Sequence, residues 1–262
     1  MRTSLFFAAL LTLLLSSQAA FALTPEFIEP EEDRFLAGTA HTLSPGQLEV
    51  GVFAPLRVGL TDRLELQGHP LAFFVAPNAR LRAQLFDDGD VALATTLGVT
   101  YPSFLLNLLA AEGAGGILPP DRAVPQLVSF FGEVAATRRL SDHYLTAAMG
   151  VQVAPRFGEN ELVTVDVPFA FPRMAAFFTT ATAIFRVQAQ GPIFGPLGYH
   201  ADLRVFAFPG VDGAFAVEPA LRLRWRLSQR WLLQGGAMYS YGGYPFGVEG
   251  RFLPVVDLLW AR

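Results

Sequence analysis

The chain has 262 residues, 52% of them hydrophobic and 16% charged, with a formal net charge of −4. It contains no cysteine, which excludes disulfides, thiolate metal sites, a cysteine nucleophile and a lipid-modified cysteine anchor. All 19 basic residues are arginine, and the acidic balance gives no general footprint for nucleic acid.

Residues 1–22 read as a secretory signal. Arg2 supplies the positive charge, residues 6–15 the apolar core, and Ala20-Phe21-Ala22 a small-x-small cleavage site. Beyond it no run of about 18 apolar residues occurs, so no helix is expected to cross a membrane. Residues 23–34 are predicted to be an acidic periplasmic leader, with Glu26, Glu29, Glu31, Glu32 and Asp33 around Pro25 and Pro30. Residues 35–262 are then predicted to be one all-β domain, because segments of alternating polarity recur with turn residues between them.

Residues 34–43 are predicted as a first strand, closed by Ser44-Pro45-Gly46. Residues 47–59 follow, with Leu48, Val50 and Val52 on one face and Gln47, Glu49 and Gly51 on the other. Thr61-Asp62 turns the chain into 63–75, where Arg63, Glu65, Gln67 and His69 alternate with Leu64, Leu66, Gly68 and Pro70. Pro70, like Pro219 further on, removes a ladder hydrogen bond and predicts a bulge or a strand end. Residues 79–86 set Arg80, Arg82 and Gln84 against Leu81, Ala83 and Leu85, and Asp87-Asp88-Gly89-Asp90 forms a tight turn. Residues 91–101 are the next strand.

A long connection covers 102–125 and contains 104–111, an apolar stretch that suits a short helix. That stretch has three places open to it: folded into the interior, laid on a membrane surface, or within an outer loop. Strands follow at 126–137 and 144–153, the first with Ser129 and Glu133 inward. A second long connection, 154–173, leaves room for a hairpin at 162–169. Further strands are predicted at 174–188, with Arg186 and Gln188 on one face, and at 197–208, with His200, Asp202 and Arg204 on one face.

Residues 214–227 carry the clearest pattern. Phe215, Val217, Pro219, Leu221, Leu223, Trp225 and Leu227 alternate with Ala216, Glu218, Ala220, Arg222, Arg224 and Arg226. In a strand these two sets face opposite ways, whereas a helix would spread the three arginines around its axis. At about 3.3 Å per residue the stretch reaches roughly 43 Å, far longer than an ordinary soluble strand. Residues 230–241 and 248–260 complete the chain, the last with Arg251 and Asp257 inward and Phe252, Val256, Leu258 and Trp260 outward.

The tally is about twelve strands. Three short links share a pattern: Leu60-Thr61-Asp62-Arg63, Leu140-Ser141-Asp142-His143 and Leu227-Ser228-Gln229-Arg230. All three fall after even-numbered strands and hence at one end, while both long connections fall at the other.

With its signal segment, these turns, aromatics near strand ends and an amphipathic final strand, the chain resembles the outer-membrane β-barrel proteins of Gram-negative bacteria from residue 35 onward. The resemblance implies a closed antiparallel transmembrane β-barrel with short periplasmic turns, two longer outer loops and a final aromatic. In this chain Trp260 is followed by Ala261 and Arg262. It also implies an aromatic belt, which Tyr101, Trp225, Trp231, Tyr239, Tyr241 and Trp260 would form. Implied partners are outer-membrane lipid, lipopolysaccharide and the barrel-assembly machinery.

The interior would be lined by Glu49, Glu65, Arg80, Arg82, Glu133, Arg186, His200, Asp202, Arg204, Glu218, Arg222, Arg224, Arg226 and Asp257. The arginines would either attract small anionic solutes in a narrow pore or pair with the carboxylates and fill the barrel. His200 with Asp202 has the spacing to serve a general base, which leaves an outer-membrane lipid-modifying enzyme as a second class. No nucleophile is placed beside the pair. The histidines have no metal-ligand spacing, no phosphate loop is present, and no cofactor is expected. A secreted soluble β-barrel binder is the third class.

Overall fold

The structure is a computed structural model and describes residues 34–74, 76–111, 123–159, 181–209, 215–243 and 248–262. The expected signal segment, nearly all of the acidic leader, the hairpin at 162–169 and residues 174–180 of an expected strand lie outside the described residues.

Alternation of apolar and polar side chains produces strands β1 (Leu48–Gly51), β2 (Leu56–Thr61) and β3 (Leu64–Gly68), then helix α1 (Pro70–Phe73). Strands β4 (Asn78–Asp87) and β5 (Val91–Thr100) precede helix α2 (Ser103–Ala110). After them come β6 (Gln126–Leu127), β7 (Ser129–Leu140), β8 (His143–Val153), β9 (Arg156–Phe157), β10 (Ala181–Phe194), β11 (Leu197–Ala207), β12 (Phe215–Arg226), β13 (Trp231–Gly242) and β14 (Glu249–Ala261). Twelve of these strands close into one antiparallel barrel, sealed where β1 pairs with β14 through Val50 opposite Trp260; β6 and β9 form a separate two-stranded ribbon.

The turns after β2, β4, β7, β10 and β12 are short and lie at one end of the barrel, together with the start of β1 and the end of β14. The links after β3, β5, β8 and β11 are longer and lie at the other end. The described parts of the two expected long connections, 102–111 with 123–125 and 154–159, are both at that second end. Gly89 takes φ +92° in the Asp87–Asp90 turn, where the Asp87 and Asp88 carboxylates accept hydrogen bonds from Gly89, Asp90 and Val91.

Twelve strands were expected and twelve are found, but two corrections offset each other. Residues 34–43 are not a strand; they run in turns inside the barrel, held by side chains of its wall. The expected strand 47–59 is two strands, because Asp257 accepts hydrogen bonds from the backbone N–H groups of Val52, Phe53 and Ala54 and folds the link between them. The expected strand 63–75 stops at Gly68. His69 caps α1 with Pro70 in its first turn, where a missing N–H costs nothing. Pro219, by contrast, neither bulges nor ends β12. The strand runs through it, paired with Leu203 on one side, while the β12–β13 ladder skips from Val217 to Ala220.

Candidate functional site

The barrel is polar inside and apolar outside. Along β12, Ala216, Glu218 and Ala220 are buried while Leu221, Leu223 and Trp225 are exposed. The same inversion runs round the ring: Leu97, Val134, Met149, Val187, Phe252 and Val256 are exposed, whereas Thr96, Thr146, Gln152, Gln188, Ser240 and Asp257 are buried. A water-soluble domain buries the first kind of residue and exposes the second.

The fourteen residues expected to line the interior share the inner face of these strands. Glu49, Glu65, Arg82, Arg186, His200, Asp202, Glu218 and Asp257 are buried there. Cross-strand pairing sets Arg204 opposite both Arg186 and Glu218, and His200 opposite both Gln190 and Arg222. Glu133 lies 3.0 Å from Arg186 Nη2 and 3.8 Å from Arg82 Nη2. Asp202 lies 3.3 Å from Arg204 Nε, and Ser240 donates to Glu218 at 2.9 Å. Arg80 stacks over the Phe131 ring at 4.5 Å. Arg226, at the foot of β12, is only partly covered.

The aromatics expected in a belt fall near the two ends. Trp225, Trp231 and Trp260 lie toward the short-turn end, Trp231 directly opposite Trp260; Tyr239, Tyr241 and Tyr101 lie toward the other.

Residues 35–43 occupy the interior at the short-turn end, and their backbone is read almost group by group. Glu49 accepts from Phe35 N–H at 2.9 Å, Thr137 from Ala40 N–H at 2.7 Å and Glu65 from Leu43 N–H at 2.8 Å. The carbonyls are taken by donors: Phe35 by Arg224 at 2.5 Å, Ala37 by Gln188 at 3.1 Å, Gly38 by Arg186 at 2.7 Å, and Thr39 by Arg82. Gly38 has φ +85°, and a Cβ there would sit 2.2 Å from Gln188 Oε1, so only glycine passes this point. Phe35 packs against Leu232, Leu259 and Ala261 below, and Ala40 against Ala92 and Ala94. At the opposite end an apolar cluster of Ile184, Phe206, Phe208 and Ala216, backed by Phe131, lines the interior. The arginine-rich middle therefore lies between an apolar mouth and a hydrogen-bonded floor.

His200 faces Gln190 and Arg222, Ser240 is bonded to Glu218, and Ser129 accepts from Gln152 at 2.7 Å.

Sequence reasoning missed two things. One is the floor segment. The other is Arg57, only 1% exposed, whose guanidinium lies 3.2 Å from Glu49 and 2.8 Å from Glu65. Its odd-numbered parity matches Glu49 and Gly51 and was the available signal; Phe53 and Pro55 interrupt the alternation before it.

The sequence matches no family model and no curated protein. Solved structures similar to it include an anion-selective porin from Comamonas acidovorans, at 11% identity and a TM-score of 0.42, with 79% of this chain and 58% of that chain covered. The outer-membrane expressed OmpT of Vibrio cholerae has 11% identity and a TM-score of 0.45, with 82% and 62% covered. The CymD monoaromatic hydrocarbon channel has 8% identity and a TM-score of 0.37, with 84% and 89% covered. The chain spans about three fifths of the length of the first two.

Proposed function

We propose that the chain is an outer-membrane β-barrel of a Gram-negative envelope, a narrow conduit for small solutes that its own residues 35–43 close at rest. The observation behind the first part is the inverted polarity of the wall. A ring of exposed Leu, Val, Met and Phe around buried Arg and Glu is stable only with hydrocarbon outside and polar groups within. The distance between the aromatic ends agrees. Trp231 and Tyr241 are ten residues apart on β13, about 34 Å along the strand, or about 26 Å across a bilayer at the usual tilt, close to the ~25 Å apolar band of such barrels. Lipid and lipopolysaccharide are then the outer partners, the short turns face the periplasm, and no catalysis is assigned.

The conduit reading rests on what fills the barrel. A purely structural wall of this circumference has no need of a floor whose backbone groups are held one at a time by polar and charged side chains. Planar-bilayer recording tests it directly: the intact barrel should stay mostly shut with rare openings. A barrel that never conducts, with or without its floor, would remove this function.

The wall itself makes a separate prediction. Leu221 is 58% exposed near the middle of β12. Leu221→Arg should lower unfolding stability in lipid vesicles by about 2–4 kcal/mol, the cost of an arginine near the bilayer midplane. Urea titration followed by the heat-dependent gel shift of folded barrels checks this. A neutral result would mean that this face does not meet hydrocarbon.

A further inference from the structure

Three buried donors in one patch of the inner wall have no acceptor among the described residues: Nε of Arg222, Nε of Arg224 and Nε2 of Gln190. They are neighbours. Arg224 Nη1 donates to Gln190 Oε1 at 3.0 Å, which fixes the amide's orientation and leaves its nitrogen unmet. His200 stands between Gln190 and Arg222 in the cross-strand register. Gly236, opposite Arg222 on β13, brings no side chain to the wall. Buried unmet donors are costly, and three on one patch indicate a missing partner rich in lone pairs.

Among the described carboxylates nearby, Asp202 is held by Arg204 and Asp257 by the Val52–Ala54 backbone, while Glu49 accepts from Arg57 and Phe35 N–H through Oε2 alone and its buried Oε1 bonds to none of the three donors. We infer that Arg222, Arg224, Gln190 and His200 form a binding site for a small oxyanion, a carboxylate or a phosphate group, on the inner wall toward the short-turn end, beside the floor. Guanidinium donors suit such ligands because their fork matches two oxygens at once.

The site is joined to the floor. Arg224, one of its ligands, also holds the Phe35 carbonyl through Nη2. An anion makes stronger hydrogen bonds to a guanidinium than a neutral carbonyl does, so an arriving anion competes for Arg224 and loosens the floor at Phe35. Solute and gate are thereby linked through a single side chain, and by reciprocity a detached floor raises anion affinity.

This coupling rests on the conduit reading, but the site does not, and the test separates them. The folded barrel in detergent is titrated calorimetrically with inorganic phosphate and, separately, with succinate. Saturable binding of at least one is expected, the preferred anion naming the source. Arg222→Gln should weaken that binding about tenfold or more, the loss of one bidentate contact, with Arg222→Lys between the two; the heat-dependent gel shift confirms that each variant is folded. The chain's lack of cysteine lets Ala40→Cys report on the floor: the preferred anion should speed its maleimide labelling, and should not in the Arg222→Gln background. No saturable binding of either anion, or binding indifferent to Arg222, overturns the site. Binding that leaves the labelling rate unchanged overturns the coupling alone. Absence of conductance in a floorless barrel would sink the conduit while leaving the binding result standing.

Discussion

Deleting residues 34–46 should convert a mostly closed barrel into one with long-lived conducting steps. The deleted segment carries the carbonyls held by Arg82, Arg186, Arg224 and Gln188 and the N–H groups held by Glu49, Glu65 and Thr137. All these wall groups tolerate water, because each is charged or a strong hydrogen-bonding group that hydrates once uncovered. The apolar residues that seal the lowest level, Leu232, Leu259 and Ala261, lose only Phe35 from their midst. Removal of the floor should therefore open the lumen without dissolving the wall. Planar-bilayer recording at moderate salt is the measurement. Anion preference should accompany the opening, since Arg82, Arg186 and Arg224 lose their backbone partners, and should fade as salt screens them. A reversible version uses the absence of native cysteine. Ala40 packs against Ala92, so Ala40→Cys with Ala92→Cys should lock the floor when oxidised and restore the rare openings of the parent when reduced. A floorless barrel that remains silent would remove the conduit reading, whatever holds the lumen shut.

The closed ring, its strand parity and the two kinds of face were legible because strand geometry imposes a period of two, and a mistake of one residue would place Arg222, Arg224 and Arg226 in hydrocarbon together. Even the short-turn end could be read from the Leu-Thr/Ser-Asp/Gln links. What failed has a common physical cause. Residues 34–43 alternate well enough for a strand, yet their partners are Glu49, Thr137, Arg186 and Arg224, up to 189 positions away. A segment stabilised by side chains acting on its backbone carries no periodic signature of its own. Arg57 was lost for a related reason: the link after β1 is bent by Asp257, a distant carboxylate, which makes one long alternating run into two. The unmet donors at Arg222, Arg224 and Gln190 were beyond sequence altogether, since an arginine with a partner and one without are the same letter.

The second large effect is expected at Arg57. Its guanidinium stands between Glu49 and Glu65, and all three side chains are sealed from solvent. Nε and Nη2 reach Glu65 at 2.9 and 2.8 Å, while Gln67 donates to the same carboxylate at 2.6 Å. Arg57→Met keeps much of the volume but leaves two buried carboxylates facing each other with no cation between them. Breaking a buried ion pair in this way costs about 3–5 kcal/mol, against about 5–15 kcal/mol for the whole stability of an ordinary domain. The urea midpoint in vesicles should fall accordingly, and floor openings should become frequent because Glu49 and Glu65 also hold Phe35 and Leu43. The cause can be separated from lost packing. Adding Glu49→Gln and Glu65→Gln to Arg57→Met removes the repelling charges, while the amide oxygens still accept from Phe35 and Leu43 N–H. Stability should then recover most of the loss, as buried ion clusters replaced by neutral groups commonly do. If the triple variant is no better than Arg57→Met alone, the arginine acts by filling space, and the electrostatic account of how the floor is held is wrong.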